Sequence, residues 1–238
     1  MDKRLKKIVD DYFDDYENWS KTLTSYLRDP YSKGEISQDD AVNQIYSVVD
    51  ILAKLTKSCI SYGNFKDTFE YDKFHQNFYG PELIVNSEKT KTVYKIGLDN
   101  KGLYIRTYLK NNFSLKNMDD KFWLSLLSLH KYGDFELVEN EHFGKETLKK
   151  YPELFNNQKG TIFRLFRKYF VSFLTEDDRN RRKDVIGDLG DLQVTWNSNF
   201  GLDKIVEECC EVFKILYKLN YDLWKIEDVK TKVNQSSR

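Results

Sequence analysis

The chain lacks most of the markers that place a protein at sight. Its three cysteines, Cys59, Cys209 and Cys210, include no CxxC pair, a count and spacing that suit neither a disulfide framework nor a zinc site. Three reduced thiols in the core are the expectation. No run reaches the roughly 18 apolar residues of a membrane-spanning helix. The opening MDKRLKKIVDDYF carries charge without the apolar stretch of a secretory signal. A cytoplasmic protein with no membrane partner is expected on both grounds. Charge of one sign is missing too: 38 Lys and Arg balance 38 Asp and Glu, so no overall field draws the chain to nucleic acid or an anionic surface. Alanine and proline are scarce beside Lys, Asn, Ile, Tyr and Phe. That set belongs to A/T-rich codons and points to a low-GC bacterial or phage genome.

Signatures of chemistry are equally thin. There is no GxxxxGK[ST] loop, no glycine-rich dinucleotide turn, no GxSxG elbow and no HExxH. His75, His130 and His142 stand apart, none within helical reach of another His or Cys. No metal site and no cofactor are expected from them.

What is present is enough to build a core. The 238 residues are 40% apolar and 15% aromatic, against 32% charged, which suits one globular α+β domain whose interior is rich in rings. Leu5, Ile8, Val9, Tyr12, Tyr16, Trp19, Leu23 and Leu27 recur at helical spacing. Pro30 and Gly34 break that helix, and Ser37 caps a second one through Ala41, Ile45, Val48, Leu52, Leu55 and Cys59 to about Tyr62. The short connection predicts an N-terminal antiparallel helical hairpin over residues 1–63. FKDTFEYDKFHQNFYGPE reads as a short helix or ordered loop.

ELIVN, TVYKIGL and GLYIRTYL then predict a small antiparallel β-meander, with DNKG as a hairpin turn in which Asn100 or Gly102 takes positive φ. A third helix starts at Asp119 or Asp120 and carries Phe122, Trp123, Leu126, Leu127 and Leu129; FELVEN is an edge strand. GTIFRLFRKYFVSFLTEDD fits a buried helix, DLQVTWN a strand, and Leu202 to about Ile226 a strongly periodic last helix. The expected architecture is thus a helical hairpin, a small meander and a helical C-terminal half. It forms one domain over residues 1–229, with 1–63 packed on 64–229, and residues 230–238 form a polar tail.

Two charged clusters are the candidate sites. Asp10, Asp11, Asp14 and Asp15 share the outward sector of the first helix, and each like pair at i,i+4 costs only about 0.2–0.5 kcal/mol. Packing absorbs that, so the spacing needs no special function and a solvated helix face accounts for it; the functional reading of the same face is an acidic surface for a basic protein partner. DDYFDD also contains a DDxxD pattern similar to that of isoprenoid synthases, which hold magnesium between carboxylates. No second acidic set matches it elsewhere in the chain. Arg179, Arg181, Arg182 and Lys183 form the densest basic cluster, suited to phosphate. Glu176, Asp177, Asp178 and Asp184 flank them closely, so nucleic acid is the less favoured partner. Glu207, Glu208 and Glu211 in EECCE read as helix-surface charge within reach of Lys204, Lys214 and Lys218.

Together these features predict a non-catalytic macromolecule-binding protein acting through protein–protein contacts, as an immunity, antitoxin or phage defence or anti-defence factor would. The alternative is a phosphoester-cleaving enzyme or nucleic-acid-binding protein, with acidic residues around a divalent metal and the 179–183 cluster on phosphate.

Overall fold

The computed structural model describes residues 38–77, 80–110, 112–138, 190–197 and 202–236, together with Lys3 and Lys7. Among these residues three α-helices pack on one face of a six-stranded antiparallel sheet. Helix α1 spans Gln38–Gly63. Val48, Ile51, Leu52, Leu55 and Cys59 form its inward stripe, all buried, and spacing of three and four is what brings them to one side. Strands β1 (Phe69–Gln76), β2 (Pro81–Ser87), β3 (Val93–Leu98) and β4 (Leu103–Tyr108) follow as a meander. After a 3₁₀ turn come helix α2 (Asp120–Ser128), strand β5 (Asp134–Val138), strand β6 (Asp191–Trp196) and helix α3 (Leu202–Ser236).

The strand order is β1-β2-β3-β4-β6-β5. Leu83, Ile96, Ile105, Val194 and Phe135 lie in register across β2, β3, β4, β6 and β5, and all five are buried in the core. The adjacent register row, Ile84, Lys95, Arg106, Gln193 and Glu136, faces the other way because side chains alternate along a strand. The sheet therefore has an apolar face under the helices and a largely polar face opposite.

At the β3–β4 turn it is Gly102 that takes positive φ, at +148°; a Cβ there would stand 2.0 Å from the Trp196 carbonyl oxygen. Asp99 closes the turn by accepting from the N–H groups of Lys101 (2.8 Å) and Gly102 (3.0 Å).

Three expectations are corrected. The architecture of a helical hairpin, a small meander and a helical C-terminal half is overturned. The sheet has six strands, and β6, from the C-terminal half, is an interior strand pairing with β4 on one side and β5 on the other. Among the described residues, the helix that lies against α1 is α3. The first helix of the expected hairpin, and the expected buried helix over 160–178, lie outside the described residues. Second, FEYDKFHQ is strand β1, pairing with β2 through a bulge between Glu70 and Lys73. The bulge breaks the period-2 pattern that would have marked it as a strand. Third, α3 continues to Ser236 rather than ending near Ile226 in a frayed tail, since no proline or glycine interrupts residues 202–236.

Candidate functional site

Helix α2 is fixed at its start by Asp119, whose carboxylate accepts from the Phe122 N–H at 3.0 Å. This satisfies one of the N–H groups that a helix start leaves unpaired. Phe122 and Leu126 turn inward, and Leu129 follows them into the core. Leu124 and Leu127 sit one turn apart on the opposite side and remain 64% and 49% exposed. Half-buried Trp123 stands between the two faces with its ring edge-on to Phe122 at 5.3 Å.

Beside this ridge, between the start of α2 and α3, lies a cleft of about 320 Å³. Its lining mixes Met118, Phe122 and Ile226 with Asp119, Lys121, Lys218 and Asp222. Lys218 donates to Ser125 Oγ at 3.4 Å, and Ser125 in turn donates to the Lys121 carbonyl at 2.8 Å, so the α3 lysine is tied to α2. Asp222 is half-buried there. Burial raises its pKa above the ordinary aspartate value; Lys218 works against the rise, and the Asp119 carboxylate adds to it. An exposed apolar ridge on a helix that also carries charges of both signs has the composition of a docking face, apolar at the centre and polar at the rim.

The polar face of the sheet is paired within itself. Glu82, buried on β2, accepts from Tyr104 Oη at 2.5 Å and from Arg106 Nη2, and Lys95 Nζ lies 3.5 Å from its other oxygen. Arg106 also lies 3.8 Å from Asp191, and Gln193 donates to Asp99 at 3.1 Å. Burial is the main reason the Tyr104 hydroxyl is held well above its usual range, with the neighbouring Glu82 carboxylate adding to it against the pull of Arg106. Gly97 opposite makes room: a Cβ there would stand 2.8 Å from Tyr104 Oη. The cluster cross-links β2, β3 and β4 and leaves its central carboxylate already occupied by three partners.

The three cysteines are free and buried between α1 and α3. Burial, reinforced by neighbouring thiols, pushes Cys59 and Cys209 well above the usual thiol range, so both are held as unreactive thiols at neutral pH.

The sequence-predicted sites fall differently. Asp10, Asp11, Asp14 and Asp15, and likewise Arg179, Arg181, Arg182, Lys183 and His142, lie outside the described residues. His75 is exposed on β1, and His130 sets its ring edge-on to Phe135 at 4.8 Å. Glu208 departs from the surface-charge reading of EECCE. It is buried and accepts from Trp196 Nε1 at 2.6 Å and from the Gly133 N–H at 3.4 Å, with Lys204 at 3.5 Å. Glu211 accepts from the Tyr62 hydroxyl. Among the described residues no group of three or more His, Cys, Asp or Glu side chains is placed to hold a metal, and no helix is long and apolar enough to cross a membrane. Sequence reasoning missed the ridge, although Leu124 and Leu127 stand in plain view within KFWLSLLSL. Comparison with family models, curated proteins and solved structures finds no match.

Proposed function

We propose that this chain is a non-catalytic binding protein that works through protein–protein contacts, with the outer face of α2 as one docking surface. The observation that carries the reading is the exposure of Leu124 and Leu127 on adjacent turns of a nine-residue helix, beside a cleft lined by Asp119, Lys121, Lys218 and Asp222. Two large aliphatic side chains kept about half or more in water gain free energy when a partner covers the rest, about 1–2 kcal/mol each. The charges around them select the partner more than they add to its affinity. The acidic face expected from the sequence at Asp10, Asp11, Asp14 and Asp15 would add a further surface to the same reading and give it a finer form, an immunity, antitoxin or anti-defence role against a basic target.

The test is a side-by-side capture from source cells with the tagged parent chain and a Leu124→Glu/Leu127→Glu variant of equal melting temperature. A protein retained in stoichiometric amount by the parent and lost from the variant is the expected result. Identical capture by both chains, or capture by neither, would remove this face from the reading.

A further inference from the structure

A second surface lies on the other flank of α3. Along that helix Tyr217, Tyr221 and Trp224 form a run of rings. Tyr217 and Tyr221 are stacked at 6.0 Å with 22° between planes, and Tyr221 and Trp224 are 5.4 Å apart. Tyr217 is buried, whereas Tyr221 and Trp224 are only half-buried. Lys89, from the β2–β3 turn, holds its ammonium 5.3 Å from the centre of the Tyr221 ring and 5.6 Å from that of Trp224.

Three further lysines gather at this corner. Lys89 Nζ donates to the Lys66 carbonyl at 3.1 Å, which places the α1–β1 loop alongside. Lys110 donates its backbone N–H to Asn220 at 2.9 Å, next to Tyr221, and its ammonium to the Lys91 carbonyl at 2.9 Å. Lys66 and Lys91 are exposed. The acidic residues of the same turns are Asp67 and Glu88. Asp67 is committed to Ser87 Oγ and to the N–H groups of Thr68 and Lys89. Lys66, Lys89, Lys91 and Lys110 outnumber Asp67 and Glu88, four cations to two carboxylates, so these turns carry a positive excess in a chain whose overall charge is zero.

We infer that this corner is a binding site for single-stranded nucleic acid, in which a base stacks on Trp224 beside Tyr221 while Lys66, Lys89, Lys91 and Lys110 meet the phosphates. The juxtaposition is what such a site requires. Rings supply a stacking platform that accepts any unpaired base, and lysines around it follow the backbone. Lys89 now covers both rings and Tyr217 backs Tyr221, so a base reaches Trp224 by displacing the Lys89 ammonium, which then stands ready for its phosphate. The site uses surface separate from the α2 ridge and goes beyond the protein-contact reading.

Fluorescence anisotropy of the full chain with short labelled oligothymidylate and oligouridylate, over a range of salt, tests the inference. The parent binds, and affinity falls with salt at a logarithmic slope approaching about −0.7 per phosphate contact. Trp224→Leu weakens binding about tenfold or more, and Lys66→Glu/Lys91→Glu weakens it and flattens the salt slope, both without a change in melting temperature. Absence of binding, or affinity unchanged in both variants, overturns the inference. Polyglutamate competing as well as unlabelled oligonucleotide also overturns it, since the site would then read acidic charge alone. Should Trp224→Leu melt below the parent, the two exposed lysines decide: unchanged affinity in their variant overturns the inference.

Discussion

Asp222 shows how one side chain can couple a candidate surface to pH. Its pKa is raised in the fold, chiefly by burial, so the folded state favours the protonated form more than the unfolded chain does. The linked stability is therefore present below the ordinary aspartate value of 3.8 and is lost as pH rises through the higher folded value. Asp222→Asn removes that loss. The variant is expected to melt above the parent at pH 7, with the difference closing as pH falls through the raised folded value and gone below 3.8; a parallel offset at every pH would show that ionisation of Asp222 is not its cause. The same cleft shows what could be read at residue scale beforehand. Asp119 was visible as a helix start because a carboxylate before an apolar helix is a capping signal. The outward ridge was not, because KFWLSLLSL has more large apolar residues than one face of a helix buries. Periodicity assigned Leu127 to the stripe with Leu126 and could not tell which leucine faces water.

The elements themselves were legible wherever a single period ran without interruption. Spacing over 41–59 marks α1, and alternation of Leu192, Val194 and Trp196 marks β6, since both patterns follow from the geometry of one element. β1 escaped because its bulge shifts the pairing between Glu70 and Lys73, and because its side chains are exposed or half-buried along its whole length. An edge strand with little to bury leaves little hydrophobic pattern to read. Helix α2 is a sharper case for experiment, since it is nine residues long and too short to persist without its cap and its packing. Asp119→Ala removes the acceptor for the Phe122 N–H and is expected to lower stability by about 1 kcal/mol, measured as a lower urea midpoint with unchanged slope. Asp119→Asn, which keeps a capping oxygen, should recover most of the loss. Equal losses in the two variants would assign the effect to charge in the cleft instead of the cap.

At the scale of the molecule, the strand order is what the sequence could not reveal. β6 enters the sheet between β4 and β5, and the pairing of Leu103 with Trp196 joins residues far apart in the chain. Such a pairing is decided by hydrogen bonds across strands and by the helices above them, none of which has a local period. Trp196 also carries the link to the helical layer, since its indole donates at 2.6 Å to Glu208 of α3, which accepts from the Gly133 N–H as well. One buried carboxylate thereby joins an interior strand, the turn before β5 and helix α3. Trp196→Phe strands part of that carboxylate and opens space in the core, and is expected to cost about 2–4 kcal/mol. Glu208→Gln retains an acceptor and costs less. If the bond holds the layers together, the double variant loses less than the sum of the singles, with a coupling of about 1 kcal/mol or more in urea unfolding. Tyrosine fluorescence and far-ultraviolet circular dichroism should report the same midpoint in the parent. Additive losses would mean that Trp196 stabilises the fold by its bulk alone, leaving apolar contact between α3 and the sheet as the force that seats the helix.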